Sequence, residues 1–218
     1  VAASLAPLAS ADRLVTLDNG LDWRRFDERA RAPLAPLPAT PGPVLVSVGR
    51  LLPHKGQAIL IDAFERIADR FPDAVLWVAG DGPEIEMLTR RIAASPAASR
   101  IHLLGRREDV PAVLARAAVF VNASAWEGMS NAVLEGMAAG LPAVVADAPG
   151  VTECHVDGVT GIVVKREVAD LAAAMARLLG DPELRRRMGS AARERAKEEY
   201  SMEASRKRYL ALFGRLTG

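Results

Sequence analysis

A chain of 218 residues, half of them hydrophobic and a quarter charged, has the length and composition of one globular domain with appendages. Its formal net charge of +1 gives no global field for a nucleic-acid partner, and no nucleic-acid motif is visible. The single cysteine, Cys154, excludes an internal disulfide framework and suits a reducing cytoplasm, and no apolar run reaches the roughly 18–20 residues of a membrane span. The chain opens on Val1 with neither a start methionine nor a signal peptide, which suggests a fragment.

Residues 1–43 read as a connector. Leu14–Leu17 suits one short strand, Asp18-Asn19-Gly20 a turn, and the Pro- and Ala-rich residues 32–43 an extended linker. From Val44 strands and helices alternate, as in a parallel sheet covered on both faces. Strands are predicted at Val44–Val48, Ala74–Val78, Ile101–Leu104, Ala118–Val121, Ala143–Ala146 and Gly161–Val164. Helices are predicted at Gln57–Arg70, Glu84–Ala94, Val110–Ala115 and Asn131–Ala139. After Lys165 the pattern is purely helical: Val168–Leu179, a segment started by Asp181-Pro182, Ala191–Tyr200 and Met202–Leu216. The fold class is therefore α/β, a Rossmann-like parallel sheet of about six strands with helices on both faces and a C-terminal helical extension.

Ligands of such sheets bind beyond the carboxyl ends of the strands, so the chemistry is sought in the following loops. Gly49-Arg50 and Lys55 follow the first strand, where two cations can hold a diphosphate and neutralise a leaving group. Gly80-Asp81-Gly82-Pro83 matches a dinucleotide fingerprint only in part, because the third glycine is missing. Gly105-Arg106 follows the third strand. After the fourth strand comes Glu127-Gly128-Met129-Ser130-Asn131-Ala132, with Glu135 one turn into a helix that Ser130 or Asn131 would cap. Free amides at that helix end suit a phosphate, and two separated carboxylates suit sugar hydroxyls. His54, His102 and His155 have no metal-ligand spacing with Cys154, so no metal is expected. His54 reads as a surface histidine, and Cys154 as a small core or pocket-side residue.

These stretches resemble the retaining glycosyltransferases of the GT-B fold, family 4 or group 1. The likeness rests on Glu127 and Glu135 as Glu-x7-Glu, on Glu-Gly-x-x-Asn, on Leu-Glu-x-Met-Ala-x-Gly-x-Pro, and on Gly-x-x-Glu followed by Asp-Gly-x-x-Gly. Asn19-Gly20-Leu21-Asp22 with Arg25-Phe26 resembles the signature between the two halves of these enzymes. Only the second half is matched, so residues 44–218 are expected to be the nucleotide-sugar-binding half, with an acceptor-binding half of on the order of 150 residues missing.

The resemblance implies that Arg50 and Lys55 carry catalysis with Glu127, which faces the donor sugar, while Glu135 takes the ribose hydroxyls. It puts Gly49, Gly80, Gly82, Gly105, Arg106, Gly128, Met129, Ser130, Asn131, Ala132 and Glu153 around the donor. No Asp-x-Asp motif is present, and no cofactor is expected beyond a nucleotide-diphosphate sugar as substrate, UDP being favoured over GDP or ADP. The implied product is a glycoside of the cell envelope: polysaccharide, lipopolysaccharide or glycolipid. The implied location is cytoplasmic. Arg185-Arg186-Arg187 and Arg206-Lys207-Arg208 read first as solvated helix faces and second as a peripheral contact with the inner membrane face. The fragment alone is expected to transfer nothing. Two rival readings stand beside this one: a stand-alone binding subunit with a separate acceptor-domain partner, and a GT-B epimerase or phosphorylase.

Overall fold

A computed structural model describes residues 15–33 and 35–217. Six strands, β1 (Val44–Val48), β2 (Val75–Ala79), β3 (Ile101–Gly105), β4 (Val119–Asn122), β5 (Ala143–Ala146) and β6 (Gly161–Val164), form one sheet in the order β3-β2-β1-β4-β5-β6. Every pairing is parallel. In the expected Rossmann-like pattern, each strand agrees with the sequence reading to within one residue.

Side chains on successive residues leave opposite faces of a strand, and both faces here are covered. Leu45, Leu76, Val78, Val121 and Val144 join one core layer, with α2 (Gln57–Ala68), α3 (Ile85–Ala93) and α6 (Val168–Gly180) packed on it. Val46, Trp77, Phe120 and Val145 join the other, beneath α1 (Trp23–Ala30), α4 (Val110–Leu114) and α5 (Asn131–Ala138). This two-sided burial is why the strands read as continuous apolar runs rather than alternating ones. Each fully buried Leu, Val or Phe contributes roughly 1.5–3 kcal/mol of transfer free energy.

The C-terminal helices differ in detail from expectation. Asp181 caps a single helix α7 (Pro182–Glu199) by accepting the Leu184 N–H at 2.8 Å, and that helix continues through the region expected to separate two segments. Leu184 and Met188 of α7 enter the first layer and Ala192 and Ala196 the second, so α7 crosses from one face to the other. The last helix, α8 (Met202–Thr217), follows after Tyr200-Ser201.

The connector holds a helix that the sequence reading did not expect. Residues 1–14 and the Leu14 end of the expected strand lie outside the described residues, and Val15–Leu17 form no strand. Downstream, α1 is a packed element. The Asp22 carboxylate accepts the Arg25 N–H at 3.0 Å, and Phe26 is buried in the second core layer. Leu21 bridges to the α7–α8 junction, donating its N–H to the Tyr200 carbonyl at 2.7 Å and accepting that of Met202 at 3.1 Å. The extended linker therefore begins after α1.

The chain runs outward from β1 through β2 to β3, then returns to place β4 on the other side of β1. That reversal opens a crevice between the loops after β1 and β4.

Candidate active site

Both crevice loops are fixed by their own backbone. After β1, Gly49 donates its N–H to the Ala79 carbonyl at 3.0 Å, and Leu51 donates to the Asp81 carbonyl at 2.9 Å. Gln57, buried at the start of α2, donates from Nε2 to the Arg50 carbonyl at 3.0 Å. A short 3-10 turn, Pro53–Lys55, then leads to Gly56 at φ 74°. Only glycine suits that position, because the dihedral is left-handed and a Cβ would overlap the Ala123 carbonyl. The two loops thus touch backbone to backbone, and Ala125 donates its N–H to the His54 carbonyl at 2.6 Å.

This contact sets Lys55 against Glu127. The ammonium lies 2.6 Å from both carboxylate oxygens, and both side chains are largely shielded from solvent. Ser124 Oγ donates to Glu127 Oε1 at 2.8 Å, and the Glu127 N–H bonds to the Pro149 carbonyl at 2.8 Å. Arg166 holds the start of the loop through the Ala123 carbonyl at 2.8 Å. Glu153 acts locally: its carboxylate accepts the Gly150 N–H at 2.9 Å, in a turn whose Gly150 packs directly on the Glu127 and Gly128 carbonyls.

On the other side of the β1 loop, Gly49, Arg50, Gly80, Gly82 and Arg106 line a cleft of about 440 Å³. Arg50 and Arg106 are exposed there. The Gly80 N–H donates to the Gly105 carbonyl at 2.8 Å, so these two predicted positions are hydrogen-bonded neighbours. The structure therefore separates Arg50 from Lys55: one faces the cleft, the other is tied to Glu127.

Beyond Glu127 the chain enters α5. Ser130 is the N-cap residue by backbone conformation but makes no side-chain cap, so the first N–H groups of Asn131, Ala132 and the next residue lack that partner. Positive potential and free donors at such an end favour an anion. Met129 packs its side chain against the core, leaving its backbone to the loop. The Asn131 carboxamide accepts from Asn19 Nδ2 at 2.9 Å, so the connector turn touches the helix end directly. Glu135 is largely buried. Desolvation holds its carboxyl above the ordinary carboxylate range, with Arg29 of α1 acting in the opposite direction.

The histidines divide. His54 is no isolated surface residue: its ring stacks on Trp126 with centroids 4.2 Å apart and planes inclined by 10°. His102 lies in β3, where burial lowers its pKa. His155 is buried with Nδ1 3.1 Å from Thr160 Oγ1, and desolvation, with a smaller effect from Arg195, lowers its pKa to about 4. Cys154 is a core residue whose thiol burial pushes up to about 12. Among the described residues no group of three or more His, Cys, Asp or Glu side chains is placed to hold a metal ion. The sequence reading missed Trp126, Ser124, Gln57 and Arg29. The first has a sequence signal, since it immediately precedes Glu127 as His54 precedes Lys55.

Comparison with known proteins gives the family and the fold. The family model for glycosyl transferases group 1 matches residues 34–195. Alpha-D-kanosaminyltransferase of Streptomyces kanamyceticus is 34% identical over 166 residues, covering 75% of this chain and 43% of that protein. The GDP-mannose-dependent alpha-(1-6)-phosphatidylinositol monomannoside mannosyltransferase of Mycolicibacterium smegmatis is 35% identical over 170 residues, covering 72% and 44%. The chain thus spans about half the length of the curated relatives it matches. Among solved structures, HepE of Anabaena in complex with UDP and glucose superposes with a TM-score of 0.82 at 23% identity, covering 94% of this chain and 58% of that one. TarM of S. aureus, in a complex that includes UDP, gives 0.83 at 21%, covering 97% and 41%. These structures share the fold, the Rossmann-like sheet of the GT-B glycosyltransferases. With three quarters of its length inside the family model, the chain belongs to the glycosyl transferases group 1 family.

Proposed function

We propose that this chain is the donor-binding half of a retaining glycosyltransferase that takes a nucleotide-diphosphate sugar, UDP-linked in preference to GDP- or ADP-linked. With an acceptor-binding half it passes the sugar to an acceptor hydroxyl in cell-envelope polysaccharide, lipopolysaccharide or glycolipid synthesis. Alone it binds donor and transfers nothing. The observation that carries this reading is the Lys55–Glu127 pair at the strand-order reversal, between a glycine-lined cleft and the uncapped start of α5.

In this reading the nucleoside occupies the cleft of Gly49, Gly80, Gly82 and Arg106, with the backbone near Gly105 meeting the base. Glu135 accepts the ribose hydroxyls, whose vicinal donors match a carboxylate's two oxygens. The diphosphate lies between Arg50 and the first amides of α5, from Ser130 to Ala132. Lys55 has three N–H donors, of which Glu127 takes two, leaving one for the departing phosphate. Glu127, held by Lys55 and Ser124, presents its carboxylate to the donor sugar beside Gly128, and Glu153 shapes the pocket by fixing the Gly150 turn. Charge that develops on the leaving group is then met by prearranged donors, without a metal as part of the proposal. The enzyme works in the cytoplasm. The basic clusters of α7 and α8 are first of all solvated helix faces, with Arg186 paired to Glu183 and Lys207 to Glu203, and only second a peripheral contact with the membrane surface. No described helix is long and apolar enough to cross a membrane.

Calorimetric titration with UDP, GDP and ADP tests this, with Arg50→Ala and Glu135→Ala as controls. Binding of UDP ahead of the others, weakened in both variants, supports the reading. A folded chain that binds none of the three, or binds equally in both variants, overturns it.

A further inference from the structure

Trp126 is the one strongly exposed tryptophan of the three: Trp77 is buried, Trp23 half-buried, and Trp126 56% exposed. Its position is built. His54 covers one face of the indole, and the backbone bond from Ala125 to His54 locks the two loops in register at that point. One residue further along each loop stands the Lys55–Glu127 pair, with side-chain exposures of 18% and 9%. Exposure therefore rises from the ion pair to the ring. The ring pair bridges the β1 and β4 loops, whereas the glycine-lined cleft is built from the loops after β1, β2 and β3.

We propose that Trp126, backed by His54, is a stacking platform for a pyranose ring on the acceptor side of the site. A pyranose presents a face of weakly positive C–H groups and an edge of hydroxyls. The first suits the negative face of an indole, and the second suits a carboxylate held next to it. The stack with His54 fixes the indole plane before any ligand arrives, so little rotamer freedom is lost on binding. A sugar seated there lies next to Glu127 and outside the nucleotide cleft. That is where a hydroxyl about to receive a glycosyl group must come from. The site's placement rests on the donor reading above, but its affinity for a sugar does not.

Saturation-transfer NMR on the 218-residue chain tests it, with methyl α-glucopyranoside, methyl α-mannopyranoside and N-acetylglucosamine as probes, each with and without UDP. The expected result is transfer to the C–H protons of at least one sugar, unchanged by UDP. It falls about 2- to 10-fold in Trp126→Ala and recovers in Trp126→Phe. Because Trp126 is exposed, the Ala variant should keep the wild-type urea midpoint and its UDP affinity. Absence of transfer in the folded wild type, or equal transfer in Trp126→Ala, overturns the platform. Displacement of the sugar by UDP overturns its acceptor-side placement. Sugar binding without any nucleotide binding would sink the donor reading while leaving the platform standing.

Discussion

Lys55 and Glu127 stand 72 residues apart in the chain, yet the ammonium sits 2.6 Å from both carboxylate oxygens. What joins them is the return of the chain to β1: β4 pairs with β1 through Leu45 and Val46, so the two following loops emerge side by side. A cation expected to hold phosphate is thereby committed in part to orienting the carboxylate expected to face the sugar. Both charges are largely shielded from water, so each relies on the other as its charged partner.

That mutual dependence gives a first prediction. Lys55→Ala and Glu127→Ala each leave one shielded charge without its partner, so each should destabilise the chain by about 1–3 kcal/mol. The double variant should cost less than the sum of the singles. Urea unfolding of all four proteins measures the coupling, and additive losses would mean that the pair contributes nothing specific.

Gly136 sits in α5 over Phe120, and a Cβ there would come 2.8 Å from the ring. Alanine is favoured over glycine in a helix by about 1 kcal/mol, but forcing a methyl into a closed core costs about 1–3 kcal/mol. Overpacking should win, since the facing atoms belong to a buried aromatic rather than to a flexible chain end. Gly136→Ala is therefore expected to lower stability by about 1 kcal/mol and to weaken UDP binding by displacing the helix start. A higher urea midpoint in the variant would count against this packing.

The strands and most helices could be read in advance because both faces of the sheet are buried, which leaves uninterrupted Val- and Leu-rich runs between Gly and Pro punctuation. Helix α1 could not. Its buried side is little more than Trp23, Phe26 and Ala30, and five of its eight residues are charged, so its composition resembles a linker. In the site, Glu127, Glu135 and the glycines could be placed by their position after strands. The contacts could not, because they depend on which loops are neighbours. The His54–Trp126 stack and the Lys55–Glu127 pair both follow from the β1–β4 adjacency, which no local pattern encodes. By the same limit, the sequence could pair Arg50 with Lys55 as cations but could not show that Lys55 is also tied to Glu127.

His155 carries a pH prediction. Its pKa falls from 6.5 to about 4 through burial, so the folded chain binds its proton later than the unfolded chain as pH drops. Above about 6.5 both states hold a neutral ring and the group is silent. Between 6.5 and about 4 the unfolded state gains the proton first, and stability should fall by about 3 kcal/mol. Urea unfolding across that window should show the loss in wild type and a shallower dependence in His155→Gln. The same slope in both proteins would remove His155 as its source.

Arg50 and Arg106 are exposed at the cleft, so neither should matter to folding. Arg50→Ala and Arg106→Ala are expected to leave the urea midpoint within about 0.5 kcal/mol of wild type. Arg50→Ala should weaken UDP binding by about tenfold, the cost of one charge-assisted contact. Its remaining affinity should also depend less on salt, because one exposed cation no longer contributes. Calorimetry at low and high ionic strength measures both effects, and an unchanged salt dependence would place the diphosphate elsewhere.

Glu135 should show a conflict between stability and binding. Desolvation raises its carboxyl pKa in the folded chain, with Arg29 only partly opposing. The folded state therefore holds the proton to higher pH than the unfolded state. Stability declines as pH rises from the ordinary carboxylate range through the raised value. Glu135→Gln removes the charge and keeps the shape, so it should stabilise the ligand-free chain at neutral pH by about 0.5–1 kcal/mol and by less in acid. The same change removes an acceptor of ribose hydroxyls and should weaken UDP binding by about tenfold or more. Urea midpoints at both pH values and a UDP titration give the two readings on one variant. A variant that loses stability at neutral pH would mean that Arg29 outweighs burial. A variant that gains stability and binds UDP as wild type does would show a carboxylate buried for some reason other than the nucleotide.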